Sequence, residues 1–72
     1  MLSVADLLAK LDESERRDLI NELGAGLHHA RMAAQCVTDP SRHAEHVTQL
    51  LAYLSGAIVE LSAARELVRH RA

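Results

Sequence analysis

The chain has 72 residues, a formal charge of -2 and one cysteine, Cys36. One small domain at most is expected, without an intrachain disulfide and in a reducing compartment, and so short a chain usually draws extra burial from metal or a second subunit. Charges of both signs are interspersed, Phe and Trp are absent and Tyr53 is the sole aromatic, which argues against a dedicated nucleic-acid binder and leaves little for base stacking.

The N-terminal residues MLSVADLL lack the basic region and long apolar core of a signal peptide, so a cytoplasmic protein is expected. Spacing predicts a first helix over 3–11, with Ser3 as N-cap, Asp6 three residues on, and Leu2 placed to staple against Leu7. Val4, Leu7, Leu8 and Leu11 form its apolar edge. A helix this short is unstable alone and must dock, on its own hairpin or on a partner.

A second helix is predicted over 13–37, opened by Asp12 and Glu15 as a D-x-x-E capping box. Ile20, Leu23, Leu27, Ala30, Ala34 and Val37 recur at spacings of three and four, one face of a helix. The Gly24-Ala25-Gly26 insert costs a helix roughly 2 kcal/mol against alanine, and a break with Gly24 as C′ residue is the alternative. Leu23 and Leu27 stay in phase across it, which favours a continuous helix.

Thr38-Asp39-Pro40 punctuates the chain, with Asp39 as N-cap and Pro40 as first helical residue of a third helix over 40–69. Ala44, Val47, Leu51, Leu54, Ile58, Leu61 and Val68 mark its main apolar face, interrupted by Arg65. Leu50, Ala57 and Ala64 widen that face, while Ala52, Gly56, Val59 and Ala63 form a small-residue stripe opposite, beside Tyr53. The most apolar run, residues 50–64, holds one charge, Glu60. That run is shorter than the roughly 20 residues a bilayer needs, so no membrane is expected, and at least two protein neighbours are.

Reversal about Asp39 makes the long helices antiparallel neighbours. It sets Val37 near Ala44, Ala30 near Leu51 and Ile20 near Leu61, with small Gly26, Ala30, Ala33 and Ala34 opposite large Leu50, Leu51 and Leu54. Arg65 then falls near Glu15 and Asp18. Arg65, Arg69, His70 and Arg71 suit the negative end of the third helix.

Little points to catalysis. His43 and His46 lie one turn apart and Cys36 could approach them, but zinc needs three or four converging ligands. The adjacent His28 and His29 diverge on a helix. No metal site is expected, and the histidines are read as solvent-facing. Cys36 reads as a buried, inert thiol, and Ser55 and Ser62 as bonding their own backbone. No phosphate-binding glycine loop or carboxylate pair is present, so no cofactor, no catalytic residue and no enzyme are expected.

The expected fold is all-α: a hairpin of two long antiparallel helices with a short N-terminal helix, dimerising into a helical bundle. The expected function is a non-enzymatic protein-binding module, an inhibitor, anti-activator or adaptor of a bacterial or phage regulatory protein. Its interface, toward a second copy and a second protein partner, is expected to draw on Leu7, Leu8, Leu50, Tyr53, Leu54, Gly56, Ala57, Val59 and Leu61. The arrangement resembles in shape, with no shared motif, the Rop-like plasmid regulators, short hairpins that dimerise into four-helix bundles and contact RNA. That resemblance implies, as the second reading, a hairpin dimer that binds RNA or DNA.

Overall fold

A computed structural model describes residues 2–39 and 47–72. Three helices follow one another: α1 (Val4–Lys10), α2 (Glu13–Thr38) and α3 (Val47–Arg71), with no strand among the described residues.

The two expected helix starts form as reciprocal capping boxes. The Ser3 hydroxyl accepts from the Asp6 N–H at 3.1 Å while the Ser3 N–H donates to the Asp6 carboxylate at 3.3 Å. At α2, Asp12 Oδ1 accepts from the Glu15 N–H at 2.8 Å and the Asp12 N–H donates to Glu15 Oε1 at 3.2 Å. Each box satisfies N–H groups that the first helical turn leaves without partners. α2 runs unbroken through Gly24-Ala25-Gly26. At its end the Thr38 hydroxyl donates to the Ala34 carbonyl at 3.1 Å. α3 continues to Arg71, two residues beyond the expected 69. Its expected start at Pro40, and Ala44 opposite Val37, lie outside the described residues.

α2 and α3 pack along one another, and α1 folds back on the same chain to lie against α3. Leu11 anchors it, buried with Leu19 and Ala64 and flanked by Leu67 and Val68. The register differs from the expected one. Leu61 faces Gly26 rather than Ile20, and Arg71 rather than Arg65 reaches Glu15, a shift of six residues in each case. Arg65 instead lies 4.0 Å from its neighbour Glu66.

Residue size explains the shift. The buried seam is made of Leu19, Gly26, Ala33 and Cys36 from α2 and Ala57 and Ala64 from α3. Gly26 and Ala33 on α2 and Ala57 and Ala64 on α3, each pair at heptad spacing, let the two backbones come close, and Leu61 packs directly on Gly26. Ile20, Leu27 and Leu51, which were expected between the helices, would hold them apart. They sit one position round each helix and remain exposed. Among the described residues of α3 only Ala57 and Ala64 are buried, so its chain-mates do not satisfy it.

The hairpin is thin and long, with extents of 45 × 23 × 16 Å. Its radius of gyration is 15.2 Å, against about 11 Å for a compact domain of this length. Its accessible surface is 5376 Å², roughly 1,000 Å² above what the size scaling of folded monomers gives for this mass.

Candidate protein-docking face

Among the described residues, a salt bridge and a His–Glu contact join α2 to α3. Glu15 serves twice: Oε1 caps α2, while Oε2 accepts from both Nε and Nη2 of Arg71 at 2.7 Å. This joins the start of α2 to the end of α3, as the acidic opening of one and the basic close of the other require. Midway along, His29 Nδ1 lies 2.5 Å from Glu60 Oε1, both side chains half-buried. Gly56 makes room for the imidazole, since a Cβ there would lie 3.1 Å from His29 Nδ1. The Tyr53 ring lies 6.3 Å from it, tilted by 32°. His29 therefore departs from the solvent-facing reading, whereas His28 is exposed as expected. His43 and His46 lie outside the described residues, and no group of three or more metal-binding side chains occurs among the described ones. Cys36 is buried.

The remaining apolar side chains share one face. Leu19, Leu23, Gly26, Ala30, Ala33 and Val37 on α2 alternate at four and three residues, as do Leu50, Leu54, Ala57, Leu61, Ala64 and Val68 on α3. This is the heptad alternation of helices packed on more than one neighbour. One half of each series meets the opposite helix. The other half opens outward: Leu23, Leu54 and Leu61 are between two-fifths and one-half exposed, and Val37 is 69% exposed. Ile20, Leu27, Leu51 and Ile58 flank that half and are more exposed than Leu23, Leu54 and Leu61. Leu23 shares one groove with Leu61, and Ala30 shares another with Leu54 and Leu61, which puts these members of the two series on one side of the hairpin.

Two depressions mark this side. One, of about 400 Å³, lies mid-hairpin over Ala30, between Leu54, Ile58 and Leu61. The other, of about 420 Å³, lies between α1 and the hairpin, lined by Val4, Leu7 and Leu8 together with Leu23, Leu61 and Val68. Arg65 borders both and brings the only charged side chain to either lining. Exposed apolar strips of this kind occur at protein- and membrane-interaction sites and at ligand grooves.

The nine expected interface residues divide. Leu8, Leu54 and Leu61 lie on the open apolar side, and Leu7 is buried at its α1 end. Ala57 is buried in the seam between the helices, with Leu50, Tyr53 and Gly56 half-buried. Val59 is 68% exposed and one position off the seam in the other direction. Ile20, Leu27, Leu51 and Ile58 were recognised as an apolar stripe but assigned to the intrachain seam. By length and composition α3 could cross a membrane, with 11% of its most apolar window buried, so the shorter run read from the sequence understates it.

No protein-family model, curated protein or solved structure matches the chain.

Proposed function

We propose that the protein is a cytoplasmic, non-enzymatic binding module that pairs with a second copy of itself through its apolar side, forming a four-helix bundle. As a bundle it occupies a surface of a second protein, acting as an inhibitor, anti-activator or adaptor of a bacterial or phage regulatory protein. The observation that carries the pairing is the same four-three alternation on both long helices with half of each series left open. A second copy supplies the same alternation from the other side, so each open side chain meets one like it. The size of the side agrees: the surplus surface is on the order of the roughly 800 Å² that each partner contributes to a standard interface. The half-buried His29–Glu60 pair and the charged outer face of α2 favour protein over lipid as the cover for α3.

Sedimentation of matched variants tests the pairing. Ile58→Glu places a charge on the apolar side and is expected to give monomers at concentrations where the parent is dimeric. Val59→Glu, next in sequence but off that side, is expected to leave the dimer intact. A parent that stays monomeric up to high micromolar concentration overturns the pairing. The second partner is tested with Leu8→Glu at the α1 groove: a protein that co-purifies with the parent but not with the still-dimeric variant supports it, and unchanged recovery overturns it. A salt-dependent mobility shift of RNA or DNA by the dimer would replace the protein partner with the nucleic-acid reading.

A further inference from the structure

We infer that the second partner lays an amphipathic helix in the α1 groove, with acidic residues beside its apolar stripe that meet Arg65 and Arg16. This rests on the second-protein reading above and states the chemistry of that partner. The groove has three walls: Val4 and Leu8 from α1, Leu19 and Leu23 from α2, and Leu61 and Val68 from α3. All six are aliphatic, and no strand edge occurs among the described residues. An extended segment laid there would keep its backbone N–H and C=O groups without partners. A helix satisfies its own and offers an apolar side chain every three or four residues, so the lining selects a helix. A recess with three walls also receives a convex helix better than a flat lipid surface.

Charge decides the polar half of the contact. Arg65 is the one charged side chain on the lining, and it is 66% exposed. It lies 4.0 Å from Glu66, whose same oxygen Arg69 approaches more closely, at 3.3 Å. Arg16, exposed on α2, falls one turn before Ile20 and two turns before Leu23, on the same line of the helix. The acidic residues that open α2 are taken up elsewhere: Asp12 by the cap, Glu13 by Arg17 and Glu15 by Arg71. This end of the apolar side therefore presents guanidinium groups, although the chain as a whole carries -2. A second copy does not answer them, because its open residues Leu23, Leu54, Ile58 and Leu61 carry no charge. Carboxylates on the other protein do, through charge-assisted hydrogen bonds to the guanidinium forks.

Three synthetic helical peptides test this. They share one leucine stripe and differ at two flanking positions, which are Glu, Gln or Lys. Fluorescence anisotropy against the parent is expected to give the Glu peptide about tenfold tighter binding than the Lys peptide, with Gln between, since each exposed pair is worth a few-fold. That preference should narrow with added salt. Arg16→Glu with Arg65→Glu, at the helicity of the parent, should reverse the order, and Leu8→Glu should weaken all three peptides. Equal affinities, or an order unchanged in the double arginine variant, overturn the acidic partner and leave a helix-binding groove standing. Binding unaffected by Leu8→Glu overturns the site. No binding of any peptide up to high micromolar concentration overturns the inference, while co-purification with Leu8→Glu still judges the second protein by itself. Phosphatidylglycerol vesicles that bind the parent but not the double arginine variant, with no order among the peptides, would replace the helix with a lipid surface.

Discussion

Gly26 and Leu61 meet so closely that a Cβ on Gly26 would lie 2.6 Å from Leu61 Cδ2 and 2.7 Å from its Cγ. Gly24, two residues away and so on roughly the opposite face of the same helix, has nothing within 4 Å of where its Cβ would stand. The two glycines therefore make opposite predictions from one substitution. Gly24→Ala is expected to stabilise the hairpin by about 0.5–1 kcal/mol through helix propensity alone. Gly26→Ala gains the same propensity but forces Leu61 or α3 to move, and overpacking typically costs about 1–3 kcal/mol. Urea unfolding midpoints should move up for the first and down for the second. A rise for both would remove the close approach.

The Glu15–Arg71 clasp should be separable from the cap it shares. Arg71→Ala removes only the clasp and is expected to cost about 0.5–1 kcal/mol, the upper range for a partly exposed pair. Glu15→Ala also removes a reciprocal cap bond and is expected to cost about 1–2 kcal/mol. Thermal unfolding of the two variants and the double variant reads the coupling, and zero coupling would mean that the clasp contributes nothing.

His29 and Glu60 satisfy each other inside a seam that is otherwise apolar. Either His29→Ala or Glu60→Ala strands a half-buried polar group, at an expected cost of about 1–3 kcal/mol. Replacing both together with Leu should recover most of that loss, because an apolar pair leaves nothing unsatisfied. Chemical denaturation of the two single variants and the double variant checks this. A double variant as weak as the sum of the singles would contradict it.

Leu11, 3% exposed, ties α1 to Leu19 and Ala64. Leu11→Ala is expected to cost about 2–3 kcal/mol, at the low end of core leucine truncations because the site is near the rim. Ser3→Ala is expected to cost about 1 kcal/mol from the lost cap. Hydrogen exchange separates them: the Ser3 variant should speed exchange in α1 alone, and the Leu11 variant in α1 and the adjoining ends of α2 and α3.

The helices were legible because their signals are local. Ser3 with Asp6 and Asp12 with Glu15 define two starts within four residues each, and the phase of Leu23 and Leu27 carries α2 across its glycines. Which stripe faces which is not local. A face built as Leu23, Leu27, Ala30 and Val37 reads the same whether its neighbour is α3 or another molecule, and matching large residues to small ones put it inside the hairpin. The informative pattern was the quieter one, Gly26 and Ala33 against Ala57 and Ala64. His29 lies between the first pair and Glu60 between the second, and these two residues meet across the seam. Arg65 was misplaced by the same six residues.

That narrow seam has a consequence for how the sequence can drift. Gly26, Ala33, Ala57 and Ala64 are buried between the helices, so added volume at these positions has to be accommodated by the facing side chains or by a shift of one helix. Leu51, Leu54 and Ile58 answer only to being apolar and can exchange freely with methionine, valine or one another. Relatives of this chain, aligned by eye on their leucines, would look unrelated; aligned on their glycines and alanines, they would fall into step.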